Sequence, residues 1–187
     1  MTTRDLVLAA LFTAIMIVLG LLPPVTLGFI PVPITAQSLG PMLAGCILGA
    51  RRGAFAMLIF VLLVAIGLPV LSGGRGGLAV LAGPTGGYIV GWVFGALVCG
   101  LIAERLVREG QNEIAQLGAF VVAAFVGGVL VVYLFGLVWL SRATGNSLLP
   151  AVAASAAFLP GDLIKVGIAA LAGRAVLAGY PLLPQRT

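Results

Sequence analysis

The sequence predicts an all-α integral membrane protein with six transmembrane helices. Three observations carry this. Hydrophobic residues make up 61% of the 187 and charged residues only 8%, against about 25% charged in a soluble domain. The mean hydropathy is +1.25. Apolar stretches recur at lengths near the roughly 20 residues a helix needs to cross the hydrocarbon core, divided by short segments rich in Pro, Gly or Arg. Six such stretches use most of the chain, so one six-helix transmembrane domain is expected over residues 1–187. The 27 glycines and 11 prolines do not oppose this, because both are commoner in membrane helices than in soluble ones.

The first span is expected from Asp5 to Leu22, ending at Pro23-Pro24. Arg4 ahead of an apolar run is also a signal-peptide feature, but the run is long for one and lacks a small-x-small cleavage site. The loop "PPVTLGFIPVPITAQ" has four prolines, which forbid a regular helix. It is too apolar for a solvated loop and should lie against the bundle. A short second span, Gln37 to Ala50, is closed by Arg51-Arg52, and a third runs from Gly53 to Leu68. A second irregular segment, "LPVLSGGRGGLAVLAGPTGG", leads into span four, Pro84 to Leu106. "VREGQNE" links it to span five, Ile114 to Leu140. "SRATGNS" then turns into span six, Leu148 to Ala178, with an interruption expected near Pro160-Gly161.

The net charge of +5 is read as topogenic arginine and not as a nucleic-acid surface. With both termini cytoplasmic, Arg4, Arg51, Arg52, Arg105, Arg108, Arg174 and Arg186 fall inside, and only Arg75 and Arg142 outside. That is the positive-inside bias expected of a cell-membrane protein. Both irregular loops and the start of span six are then on the outer face. Asp5, Glu104, Glu109 and Glu113 sit at inner helix ends, and Asp162 is the exception. Gly83, Gly87, Gly91, Gly95 and Cys99 form a small-xxx-small stripe along span four, which lets helix backbones approach closely. Cys46 and Cys99, far apart in sequence and in no CxxC pair, read as packing residues.

Several chemistries are excluded. There is no histidine, which removes HExxH zinc sites and Ser-His-Asp triads. The single lysine, Lys165, is flanked by Ile164 and Val166, so no Walker A lysine exists. "GGRGG" does not fit GxGxxG. The chain is expected to be no enzyme and to need no cofactor or metal of its own.

Asp162 and Lys165 stand out. A charge near mid-bilayer costs about 2.5–3.5 kcal/mol on insertion scales and must face a partner or a cavity. Residues i and i+3 share a helix face, so the two can project into one space. Two readings stay open. One is a structural ion pair, with Asp162 also favoured near a helix start after Pro160-Gly161. The other is a polar anchor in an apolar ligand pocket. The outer loops fit the second: the glycine pairs around Gly74, Gly77 and Gly87 permit close backbone approach, Arg75 adds a cation, and Thr85 and Tyr88 add hydroxyls. Glycines serving only as tight turns compete with this reading. Together these residues describe a small ligand with two polar ends and an apolar middle.

"GFIPVPITAQ" (28–37), "GLPVLSGGRGGLAVLAGPTGGY" (67–88) and "LPGDLIK" (159–165) resemble, in order and over nearly the whole chain, the BioY family. These are the biotin-specific substrate-binding (S) components of energy-coupling factor (ECF) transporters. The resemblance implies the six-helix S-component fold, with biotin near the outer side under the first loop. Asp162 would accept from a ureido N–H and Lys165 would donate to the site's acceptors. The valerate carboxylate would lie near Arg75 and the glycine loop, including Gly77. Thr85, Gly87 and Tyr88 would shape the cavity, with Gln37 a further lining residue. Ala10 and Ala14 match an AxxxA patch that docks onto the transmembrane coupling protein, and two partner ATPase subunits would supply the energy. Uptake would then proceed by toppling of the whole S component in the bilayer. Homo-oligomerisation stays open.

Competing readings are an S component for thiamine or riboflavin, a membrane scaffold in which Asp162–Lys165 is only an ion pair, and a small membrane enzyme. The 7% aromatic content argues against a ligand held by ring stacking.

Overall fold

The computed structural model describes residues 1–28, 31–108, 110–145 and 147–183. Glu109, Arg186, Asn146 of the "SRATGNS" turn and the Phe29-Ile30 pair of the first motif lie outside the described residues. The helices are α1 (Thr3–Gly20), α2 (Leu39–Leu48), α3 (Ala50–Ala65), α4 (Leu78–Ala82), α5 (Gly86–Leu106), α6 (Glu113–Phe125), α7 (Val132–Thr144), α8 (Leu148–Ser155) and α9 (Leu159–Gly179). A 3₁₀ turn, Ala36–Ser38, leads into α2. A π turn, Val126–Val131, joins α6 to α7, and a 3₁₀ turn, Ala156–Phe158, joins α8 to α9. Among the described residues no strand occurs, only two antiparallel bridges, Val25–Ile34 and Leu71–Arg75.

Each of the six expected spans corresponds to a helical segment. Four are long and apolar enough to cross a membrane: Thr3–Gly20, Gly86–Leu106, Glu113–Thr144 and Leu148–Gly179. The other two, α2 with 10 residues and α3 with 16, are shorter. Large apolar side chains such as Leu134, Ile164 and Leu171 are more than half exposed. That would be costly in water but not against lipid, whose tails are as apolar as leucine.

The boundaries follow from local chemistry. Thr2 and Asp5 form a reciprocal capping box at the start of α1. Between α2 and α3 there is no loop. Gly49, at φ 82°, turns the chain within one residue, so Arg51 and Arg52 occupy the first turn of α3 instead of closing α2. The Glu104 carboxylate of α5 accepts the Ala50 amide at 2.8 Å, satisfying an orphan donor at the N-terminus of α3. In the sixth rod the irregularity falls at Ala156–Phe158, upstream of Pro160-Gly161. Pro160 sits in the first turn of α9, where its missing N–H costs nothing.

α5 is the central rod, packed against α2, α3 and α7. Lipid gives apolar faces no reason to associate, so close backbone approach must hold the helices together. Gly87 meets Trp139 and Phe135, Gly91 meets Phe135 and Val132, and Gly95 meets Val132 and Gly127. Gly83 falls in the α4–α5 turn, ahead of the helix. Cys46 and Cys99 are both buried free thiols, with their sulfurs 3.5 Å apart.

Several ion pairs and charged contacts gather at one end of the bundle. Arg52 Nε lies 2.6 Å from Asp5 Oδ1 and its Nη1 donates to the Leu182 carbonyl at 3.0 Å. Arg4 donates to the Tyr180 hydroxyl at 3.0 Å and covers its ring. Arg174 pairs with Glu113. The first and last described residues therefore meet at the same end.

Candidate functional site

At the other end lies a cavity whose wall is mostly apolar with a few polar side chains, the make-up of small-molecule sites. The first loop, the head of α2, the second loop, α5, α7 and α9 all contribute to it. Val32, Pro33 and Ile34 cover it from the first loop, held by the Val25–Ile34 bridge, in which each amide donates to the other carbonyl at 2.9 Å.

Asp162 and Lys165 project from the first two turns of α9 into this space, and Asp162 is only 5% exposed. Lys165 Nζ spends its three hydrogens on Asp162 Oδ1 at 2.9 Å, Ser38 Oγ at 2.7 Å and the Thr35 carbonyl at 2.9 Å. Ser38 passes its own hydrogen to Asp162 Oδ1 at 3.0 Å. Tyr133 donates to Asp162 Oδ2 at 2.8 Å. The buried charges are thus paired and hydrogen-bonded, as burial demands. The carboxylate can accept more bonds than it receives, and the network borders open space.

Much of the remaining wall is aromatic and apolar. Tyr88, Trp92, Tyr133 and Phe158 line the cavity with Ile89, Val132 and Leu71. Tyr88 meets Tyr133 and Phe158 edge-on, with centroids 6.3 Å apart in each case, a favourable ring arrangement. Its hydroxyl pairs with Ser155 at 2.9 Å. The low aromatic content of the whole chain therefore conceals a local concentration: two of the three tyrosines and one of the two tryptophans are here.

Of the residues singled out in the sequence, Asp162, Lys165, Arg75, Thr85, Tyr88 and Gln37 all line the cavity. Gln37 is also a strut. It is 1% exposed, donates to the carbonyls of Met16 and Val70 at 3.1 and 3.0 Å, and accepts the Ser72 amide at 2.9 Å. It ties α1 to the second loop. Arg75 Nε donates to the Ser72 carbonyl at 3.1 Å, and among the described residues its terminal amino groups have no partner. Partial burial pushes its guanidinium below the ordinary value, but arginine remains a cation.

Gly77 and Gly87 are not among the lining residues. The Gly77 amide is spent on the Val64 carbonyl at 2.7 Å, and its φ of 91° serves the turn into α4. Gly87 lies on the α7-facing side of α5, one residue and hence about 100° of helical rotation from Tyr88. Ala10 and Ala14 lie on the exposed face of α1, remote from the cavity lining.

The sequence reading missed Ser38, Thr35, Tyr133, Trp92, Phe158 and Ser155. A signal existed for Tyr133, a lone hydroxyl-bearing ring in an apolar span. Gly127-Gly128 marked the π turn, a feature frequent at functional sites. Gly128 lines the cavity with no side chain because Met42 occupies that position.

The family model described as "BioY family" matches residues 1–182. The chain is 62% identical over 186 residues to "Biotin transporter BioY" of Rhizobium etli, covering 100% of both. It is 46% identical to the protein of the same name from Rhodobacter capsulatus, covering 95% of both. The crystal structure of the S-component for biotin from an ECF-type ABC transporter superposes with a TM-score of 0.88 at 35% identity, again over 95% of both chains. The sequence motifs, the helical architecture and these matches agree, and the chain belongs to the BioY family.

Proposed function

We propose that this protein is the biotin-capturing component of a vitamin uptake system, and that the cavity bordered by Asp162 and Lys165 is its biotin site. One observation carries the proposal. A buried carboxylate–ammonium pair, whose carboxylate keeps acceptor capacity and faces open space, stands at one wall of an aromatic cavity, in a chain 62% identical to a named biotin transporter. Biotin's ureido ring offers two N–H donors and one carbonyl acceptor. Asp162 accepts from a ureido N–H, and Lys165 gives up one internal bond to donate to the ring's carbonyl. The apolar thioether ring and valerate chain lie among Tyr88, Trp92 and Phe158. The carboxylate ends at Arg75, whose terminal amino groups have no partner among the described residues. Thr85 borders the same space.

Residues 1–187 act as a single transmembrane unit with both termini on the cytoplasmic side. The chain is a transport protein and not an enzyme. It needs no cofactor of its own, and energy comes from an ECF module, a transmembrane coupling protein with two ATPases, docking on the exposed Ala10–Ala14 face of α1.

The test is equilibrium binding of biotin to the purified protein in detergent, with thiamine and riboflavin as controls. Saturable binding of biotin alone is expected. Binding of neither biotin nor the controls would sink the proposal and leave Asp162–Lys165 as a structural ion pair.

A further inference from the structure

Outside the cavity, an open groove runs on the outer surface of the bundle between α5 and α7. Val90, Leu134, Phe135, Val138 and Trp139 wall it, over a floor of Gly86 and Gly87. Its walls are fixed. Trp139 Nε1 donates to the Gly83 carbonyl at 2.9 Å, and Phe135 stacks flat on Phe94 with centroids 4.6 Å apart. The wall is apolar except at one point, Arg142, in the last turn of α7.

Arg142 is exposed, and among the described residues no acidic side chain pairs with it. Asp5, Glu113 and Asp162 are taken by Arg52, Arg174 and Lys165, and Glu104 caps α3. An apolar trough ending in one exposed cation, unpaired among the described residues, is complementary to an amphiphile with a hydrocarbon tail and a single anionic head. Trp139, beside Arg142, belongs to the residue type that settles at the headgroup level, which places the cation at phosphate depth. Arginine is suited to phosphate geometry, since its planar fork of donors matches the oxygens of a phosphate group.

We propose that the α5–α7 groove is a binding site for one anionic phospholipid, with an acyl chain lying between Leu134 and Val90 and the phosphate on Arg142. The site is separate from the cavity and does not depend on what the cavity binds.

Native mass spectrometry of the detergent-purified protein tests this, after incubation with phosphatidylglycerol or phosphatidylcholine. The expected result is one phosphatidylglycerol retained at a detergent excess that strips phosphatidylcholine. Arg142→Gln should cut that retention at least threefold and erase the preference. Val138→Trp, which fills the trough but spares Arg142, should reduce retention of both lipids. Arg105→Gln, at the opposite end of α5, should change nothing. Monodisperse elution of each variant checks the fold. Equal retention of the two lipids by the wild type, undiminished phosphatidylglycerol in Arg142→Gln, or its loss in Arg105→Gln would each overturn the assignment.

Discussion

Tyr133 donates its phenolic hydrogen to Oδ2 of Asp162 at 2.8 Å, on the carboxylate oxygen that Lys165 leaves free. Lys165 and Ser38 hold Oδ1, so the carboxylate is fixed from two helices and the head of a third. Hydrogen bonds to charged groups contribute about 1.5–3 kcal/mol each. Tyr133→Phe, which removes only the donor, should therefore lower stability by about that amount, read as a fall in the melting midpoint in detergent. Biotin affinity should drop several-fold as the carboxylate loses its fixed orientation. An unchanged midpoint would mean that the bond contributes nothing.

The ion pair allows a sharper separation of structure from binding. Removing one partner of a buried pair leaves the other uncompensated, at a cost of about 3–5 kcal/mol. Asp162→Asn and Lys165→Met should each destabilise the protein and reduce biotin affinity by more than tenfold. The double variant, with no buried charge left, should regain much of the stability but none of the affinity. If affinity returned along with stability, the pair would be a scaffold and not a ligand anchor.

Arg75 makes a prediction about the other end of the ligand. If its free amino groups hold the valerate carboxylate, the wild type should prefer biotin over biotin methyl ester by about tenfold, the ratio given by about 1.4 kcal/mol. Arg75→Gln should bind acid and ester alike. Competition binding with both ligands measures this, and a preference that persisted in Arg75→Gln would remove Arg75 from the carboxylate's site.

The exposed face of α1 should answer to a different assay. Ala10→Trp or Ala14→Trp places bulk on a surface that the bundle does not use, so biotin binding in detergent should stay at the wild-type level. Uptake into cells that supply a coupling module should fall to background. Impaired binding in either variant would contradict the position of these residues on an open face.

What the sequence disclosed follows from what membranes make expensive. A carboxylate and an ammonium in an apolar run are too costly to be incidental, so Asp162 and Lys165 were legible as candidates, and the structure places both in the cavity lining. Hydroxyls carry no such cost. Ser38 completes the same network from the turn ahead of α2, yet a serine beside a loop does not stand out, and Tyr133 gave only the weaker signal of a lone hydroxyl-bearing ring in an apolar span. Gly87 and Tyr88 are adjacent in sequence but face different neighbours, and composition cannot reveal the rotation of α5. That orientation is set by Trp139 and Phe135, which become visible only once α5 and α7 are packed together. Gln37 read as a lining residue; its additional work as a strut depends on Ser72 and Val70, more than thirty residues away.

Beneath the cavity the interior is solid. Met42 fills the space over Gly128, and one helical turn further along α2 Cys46 presses on Cys99 and Phe120, none of them more than 1% exposed. Beyond them the head of α3 is closed by the Glu104 carboxylate. Among the described residues the cavity is stopped at this end by methionine, thiols and a phenyl ring. A vesicle containing this protein alone should hold its proton and sodium gradients as well as an empty one. A solute that has entered must either return by the mouth through which it came or wait until the mouth itself faces the other compartment.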